Sequence, residues 1–169
     1  MTEPSVPDVD VKPSGIEGLG IFAHRPIRAG ERIREIAVVR EVTPDTPLRQ
    51  DLGERADHCD YPDGKVVLLG LPDRYVNHSC DPNAWVHYHD ARCYFVARRD
   101  IQTGEEITCD YSINLTGGSS WPCRCGAARC RGTVVGDFFA LPLALQREYR
   151  ALLADWFVRR HAHRLPPSS

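Results

Sequence analysis

Three cysteines crowded into eight residues, Cys123-x-Cys125-x-x-x-x-Cys130, constrain this chain more than any other feature. Their segment is rich in Gly and Arg, which makes it a loop, and nearby positive charge favours thiolates. Thiols so close are hard to explain as packing; unligated reactive thiols are the plainer alternative. A closed structural zinc site needs four thiolate or imidazole ligands in a tetrahedron. The cluster supplies three, so a metal reading demands one more ligand from elsewhere in the chain. Upstream, Asn77-His78-Ser79-Cys80-Asp81-Pro82-Asn83 contains a cysteine that could complete the set, among polar residues suited to a ligand pocket.

The remaining cysteines do not read as a disulfide scaffold. There are seven in total, an odd number, and no secretory signal precedes them. Cys93 sits in an apolar run and reads as a small core hydrophobe. Cys59 has no evident role. A chain of 169 residues holds one domain with a real core. A net charge of -2 excludes a general polyanion binder, so no direct nucleic-acid binding is expected. No apolar run approaches a membrane span, and the expected setting is intracellular, in the cytoplasm. Lys12 and Lys65 are the only lysines. That skew toward arginine suggests a GC-rich, bacterial genome and leaves few sites for self-modification.

Short strands separated by turn residues dominate the first 140 residues. Arg34–Thr43, Lys65–Leu71 and Ile107–Tyr111 read as strands, and Ala84–His89 with Cys93–Arg98 as a hairpin turning at Asp90-Ala91. The end differs. Leu145, Tyr149, Leu152, Leu153, Trp156 and Phe157 form the stripe of an amphipathic helix from Pro142 to about His161. Pro142 suits its first turn and Arg159-Arg160-His161 its negative end. The stripe packs against the body, or, as an alternative, binds a partner.

Together with Gly104-Glu105-Glu106-Ile107-Thr108-Cys109-Asp110-Tyr111, the two cysteine-bearing segments resemble the signature of SET-domain protein lysine methyltransferases with a cysteine-rich post-SET tail. The resemblance covers residues 12–136. It implies a mainly β fold of small curved sheets with a knot-like substructure that brings residues 77–83 and 107–111 together. The expected layout is a flexible arm at 1–11, the SET domain at 12–116, the zinc segment at 117–136, and a helix and tail at 137–169. It also implies one structural zinc held by Cys80, Cys123, Cys125 and Cys130, and S-adenosylmethionine as cofactor. Gly18-Leu19-Gly20 matches the turn that cradles the methionine part, its glycines letting backbone approach closely. Asn77 matches the residue that meets the amino-acid end, and His78 lies beside the adenine.

Tyr111 corresponds to the family's active-site tyrosine, which orients the amine of a protein lysine and contacts the cofactor. Cys109, two residues earlier, stands where Phe or Tyr is usual and makes room for di- or trimethylation. Ile36-Ala37-Val38 stands where many members carry Tyr-x-Gly, so Ile36 lines the substrate channel without a hydroxyl. The acidic segment Glu41–Asp63 falls on one wall of the expected peptide groove, where it attracts basic protein or peptide substrates, or is simply a solvated loop. The rival reading is a catalytically weak SET-fold module that binds basic peptides. The sequence gives no indication of oligomeric state.

Overall fold

The structure is a computed structural model that describes residues 9–167. Twelve short strands carry the body: β1 (Val9–Pro13), β2 (Leu19–Ala23), β3 (Arg32–Glu35), β4 (Val38–Glu41), β5 (Cys59–Asp60), β6 (Val67–Leu69), β7 (Asn77–His78), β8 (Ala84–His89), β9 (Arg92–Ala97), β10 (Glu106–Cys109), β11 (Ser120–Pro122) and β12 (Thr133–Val135). Two helices follow, α1 (Leu143–Glu148) and α2 (Asp155–His161). The strands form four small sheets, ordered β1-β2-β10-β7, β3-β9-β8, β4-β6-β5 and β11-β12.

The hairpin β8–β9 forms in the expected register, with Asp90 and Ala91 both at positive φ (48° and 61°). Two left-handed residues make the turn whose twist matches the flanking strands. Along β9, Cys93, Phe95 and Ala97 point inward and join Ile21, Ile27, Ile101 and Ile107 in the main core. That alternation is what period-two packing on one face dictates.

The parallel pair β7·β10 positions the site. Asn77 lies opposite Thr108 and His78 opposite Cys109, and the Ser79 N–H donates to the Cys109 carbonyl at 3.0 Å. Asn83, 2% exposed, locks the crossing: its Oδ1 accepts from the Thr108 N–H at 2.9 Å and its Nδ2 donates to the Glu106 carbonyl at 2.8 Å. Residues 77–83 and 106–111 are thereby held together.

Three expectations need correcting. Arg34–Thr43 is not one strand, because the chain turns at Ile36-Ala37 and feeds two sheets. Buried Asp73 fixes that turn, accepting from the Ala37 N–H at 2.8 Å and pairing with Arg34 Nε at 2.7 Å. The C-terminal helix is broken at Leu153-Ala154, where the Ala154 N–H leaves the helical ladder for Asn114 Oδ1 at 2.8 Å. The break lets Tyr149 and Phe157 enter one satellite core with Phe138 and Leu141; the stripe packs inward as expected. Finally, residues 1–8 of the expected arm lie outside the described residues, while Val9–Val11 belong to β1 with Val9 buried.

Candidate active site and metal centre

The β11–β12 hairpin presents Cys123, Cys125 and Cys130 to Cys80, which follows β7. The four sulfurs lie within 4.8 Å of one another, and Cys80 and Cys123 are 3.7 Å apart. A tetrahedron with metal–sulfur bonds of about 2.3 Å has edges of roughly 3.8 Å, so the cage has the right size for zinc. Backbone N–H groups point at the sulfurs, from Cys80 to Cys125 (3.5 Å), from Arg131 to Cys80 (3.3 Å) and from Gly132 to Cys130 (3.4 Å). Burial alone would raise the Cys125 thiol, yet N–H groups of Cys80 and Ala127 and the neighbouring thiols bring it down to about 7. This donor set suits a soft, closed four-thiolate metal site.

His78 joins the cluster to the cleft. Its Nδ1 accepts from the Tyr111 N–H at 3.1 Å, and an N–H can only donate. The neutral ring therefore carries its proton on Nε2, which faces Cys80 Sγ at 3.4 Å. Burial holds His78 down to about 4, so the ring is neutral near pH 7. It thereby fixes the orientation of the Cys80 thiol, as an outer-sphere histidine would do for a metal-binding cysteine.

A cleft of about 900 Å³ opens on the other side of His78, lined by Asn77, Tyr111, Cys109 and Ile36 among others. The structure thus brings Asn77, His78, Tyr111, Cys109 and Ile36 to one cavity, whereas Gly18, Leu19 and Gly20 are not among the residues that line it. The Tyr111 hydroxyl donates to the Val76 carbonyl at 2.5 Å, and burial keeps the phenol protonated by raising it above its ordinary value. Asn77 Nδ2 reaches the Glu17 carbonyl (3.1 Å), the Leu19 carbonyl (3.0 Å) and Glu106 Oε1 (2.8 Å). Its amide N–H groups brace the glycine turn, which leaves Oδ1 as the acceptor toward the cleft.

Gly18 occupies the left-handed region at φ 48°, which favours glycine. Gly20 answers a different need from the one expected: a Cβ there would lie 2.3 Å from Glu106 Oε1. Glu106 sits in that space and accepts from Ser14 Oγ at 2.8 Å as well as from Asn77. Leu19 is 41% exposed beside them.

Sequence reading missed several residues of this cavity. Trp121 of β11, 42% exposed, lines it with its ring 6.4 Å from that of Tyr111. An aromatic two residues before the first cysteine of the cluster was the available signal. Tyr88 and Asp60 also line it, bonded at 2.6 Å. Arg131 clamps buried Asp110 in a two-point ion pair. The acidic segment is less free than its composition implies. Glu54 is buried between Arg40 and Arg49, Asp57 pairs with Arg55, Asp63 with Arg160 and Glu41 with Lys65. Arginines interleaved in sequence or supplied by α2, together with Lys65, thus pair with four of the segment's seven acids.

Residues 18–112, which carry the crossed segments of the cleft, match the SET domain, and the chain belongs to the SET-domain family. Among curated relatives, it is 34% identical over 134 residues to histone-lysine N-methyltransferase ash1 of Drosophila melanogaster, covering 71% of this chain. It is 36% identical over 137 residues to human histone-lysine N-methyltransferase 2B, covering 73%. To histone-lysine N-methyltransferase Set2 of Drosophila melanogaster it is 46% identical over 133 residues, covering 72%. The matched regions are 6%, 5% and 6% of those relatives' lengths. Among the described residues no helix is long and apolar enough to cross a membrane.

Proposed function

We infer that this chain transfers a methyl group from S-adenosylmethionine to the side-chain amine of a protein lysine. One observation carries the reading: the Tyr111 hydroxyl is fixed on the Val76 carbonyl at the edge of the cavity that Asn77 and His78 also line. Similarity to relatives named as histone-lysine methyltransferases supports the lysine assignment. Bound cofactor supplies an activated methyl on a cationic sulfur.

The chain's residues do the rest. Asn77 Oδ1 would accept from the ammonium of the amino-acid end, His78 would back the adenine, and the exposed Trp121 ring would offer it a stacking face. Tyr111 has spent its proton on Val76, so its oxygen lone pairs face the cavity as acceptors. They orient the lysine N–H and stabilise positive charge without adding a formal charge. At pH 7 a free lysine, pKa about 10.4, needs roughly 4–5 kcal/mol to become a neutral amine. An apolar wall including Ile36 and Cys109 lowers that cost by desolvating the ammonium. Cys80, Cys123, Cys125 and Cys130 would hold one structural zinc, which would tie β11–β12, and with it Trp121, over the cleft. The seven unpaired cysteines support a reducing, intracellular compartment.

The test is transfer of labelled methyl onto a panel of basic proteins and peptides, wild type beside Tyr111→Phe. Wild type is expected to label and the variant to lose labelling while retaining cofactor binding by calorimetry. Unchanged labelling in the variant, or no cofactor binding by wild type, overturns the reading. The buried, apolar Ile36 gives one reason to keep the second reading, a weakly catalytic binder of basic peptides. Saturable peptide binding without product would establish it.

A further inference from the structure

Four carboxylates line the cleft: Glu17, Asp57, Asp60 and Asp110. Three face an arginine, Glu17 with Arg124 at 3.6 Å, Asp57 with Arg55 at 2.9 Å and Asp110 with Arg131 at 2.7 Å. Asp60 has no cationic partner among the described residues. What it has is Tyr88, whose hydroxyl donates to Asp60 Oδ2 at 2.6 Å. A hydroxyl-to-carboxylate bond that short is charge-assisted and fixes the acceptor.

The pair is rigidly mounted. Tyr88 lies opposite Cys93 in the β8–β9 hairpin, packs on both cores and meets Trp156 edge-on at 6.2 Å. Asp60 ends β5, in register with Val67 of β6. Asp60 and Cys109 line the same cavity. Burial pushes the Asp60 carboxyl above its ordinary value, and the bonds from the Tyr88 hydroxyl and the Tyr61 N–H work against that rise. Tyr88 has given up its only proton, so Asp60 and Tyr88 together present acceptors alone. Such a site favours a cation bearing N–H groups. Ile36, which also lines the cavity, is apolar and adds no hydroxyl of its own.

We propose that Asp60, oriented by Tyr88, is the counter-ion that captures the target lysine ammonium on the cleft wall beside Cys109, making it the specificity-determining residue for a lysine side chain. This rests on the methyl-transfer reading for the identity of the substrate. It deepens that reading by giving capture to one carboxylate instead of to the acidic segment as a whole, whose other charges are largely paired. Asp60 acts on binding of the ammonium and favours its charged form, so the proton must leave after capture, as the amine passes to the apolar wall at Ile36; removal of Asp60 therefore raises KM more than it lowers kcat.

The experiment uses a basic peptide with a single lysine flanked by arginines, and its counterpart with norleucine in place of that lysine. Binding to the full chain is read by fluorescence anisotropy for wild type, Asp60→Asn and Tyr88→Phe. Asp60→Asn keeps an acceptor for the Tyr88 hydroxyl and removes only the charge. Wild type is expected to prefer lysine over norleucine by about tenfold, the scale of a hydrogen bond to a charged group. Asp60→Asn should lose that preference while binding the norleucine peptide as wild type does, and Tyr88→Phe should lose part of it. Equal preference in wild type and Asp60→Asn overturns the proposal, as does wild type that binds neither peptide or does not discriminate. Because the readout needs no turnover, lysine preference without labelling would sink the chemistry alone. Labelling with KM unchanged in Asp60→Asn would sink only the role of Asp60.

Discussion

Arg131 and Asp110 meet as a fork, Nη1 to Oδ2 at 2.7 Å and Nη2 to Oδ1 at 3.0 Å, where the Asp110 side chain is fully buried. Arg131 also sends its backbone N–H to Cys80 Sγ, so one residue ties the cysteine segment to the strand end that carries Tyr111. Arg131→Ala leaves a buried carboxylate without its partner, an expected loss of about 3 kcal/mol. Arg131→Lys restores charge but not the two-point geometry, and should recover less than half of that. Denaturant unfolding of the three proteins measures it; a loss under about 1 kcal/mol for the alanine variant would rule out the clamp.

Metal content gives the next check. Protein purified without chelator should carry one zinc per chain, and chelation should expose four thiols that react slowly in the loaded form. Cys125→Ser should lower both the zinc content and the melting temperature. Less than about half an equivalent of metal in the wild type would sink the site.

Cys109 lines the cavity, and on the methyl-transfer reading it sets the size of the lysine channel. The wild type is expected to carry a lysine to the di- or trimethyl state under excess cofactor, and Cys109→Tyr to stop at monomethyl by filling the space. Mass spectrometry of the product peptide decides; a wild type that stops at monomethyl contradicts the assignment.

Gly20→Ala should weaken cofactor binding without touching cofactor. The added Cβ meets Glu106 Oε1 at 2.3 Å and pushes that carboxylate off Ser14 and Asn77. Losing such bonds to a charged group costs about 1.5–3 kcal/mol, or roughly tenfold or more in affinity by calorimetry. Affinity equal to wild type would show that the brace under the turn is dispensable.

Glu54 predicts a pH dependence. The side chain and then the backbone N–H of Arg49 hold its carboxyl down to about 2, against 4.5 for the free group. A depressed folded-state value means that the unfolded chain binds the proton more readily. Its contribution is therefore complete above about pH 4.5 and is lost as pH falls toward 2. Glu54→Gln should flatten the fall in melting temperature across that window; an unchanged acid limb would refute it.

The sequence made the fold class, the hairpin at Asp90-Ala91 and the four cysteines legible, because each is written in local spacing or in a motif of fixed composition. Less legible were features made by single buried polar groups acting across the chain. Nothing around Ile36 announces that Asp73 will turn the strand there, and nothing near Leu153 that Asn114 will break the helix. Tyr88 and Asp60 looked like an ordinary strand residue and one acid among many until the hairpin and β5 set them side by side. The same holds for Glu54, whose arginines turn an apparently free charge into an internal tie.

Cys80 and Asn77 are three positions apart on one short stretch, with His78 touching both the sulfur cage and the cleft. Two ligands that share so rigid a segment are coupled, and coupling free energies are reciprocal. If the metal strengthens cofactor binding by some factor, the cofactor strengthens metal retention by that same factor. On the proposed reading, a metal that strengthens cofactor binding requires that saturating S-adenosylmethionine protect the cage from chelators by that factor.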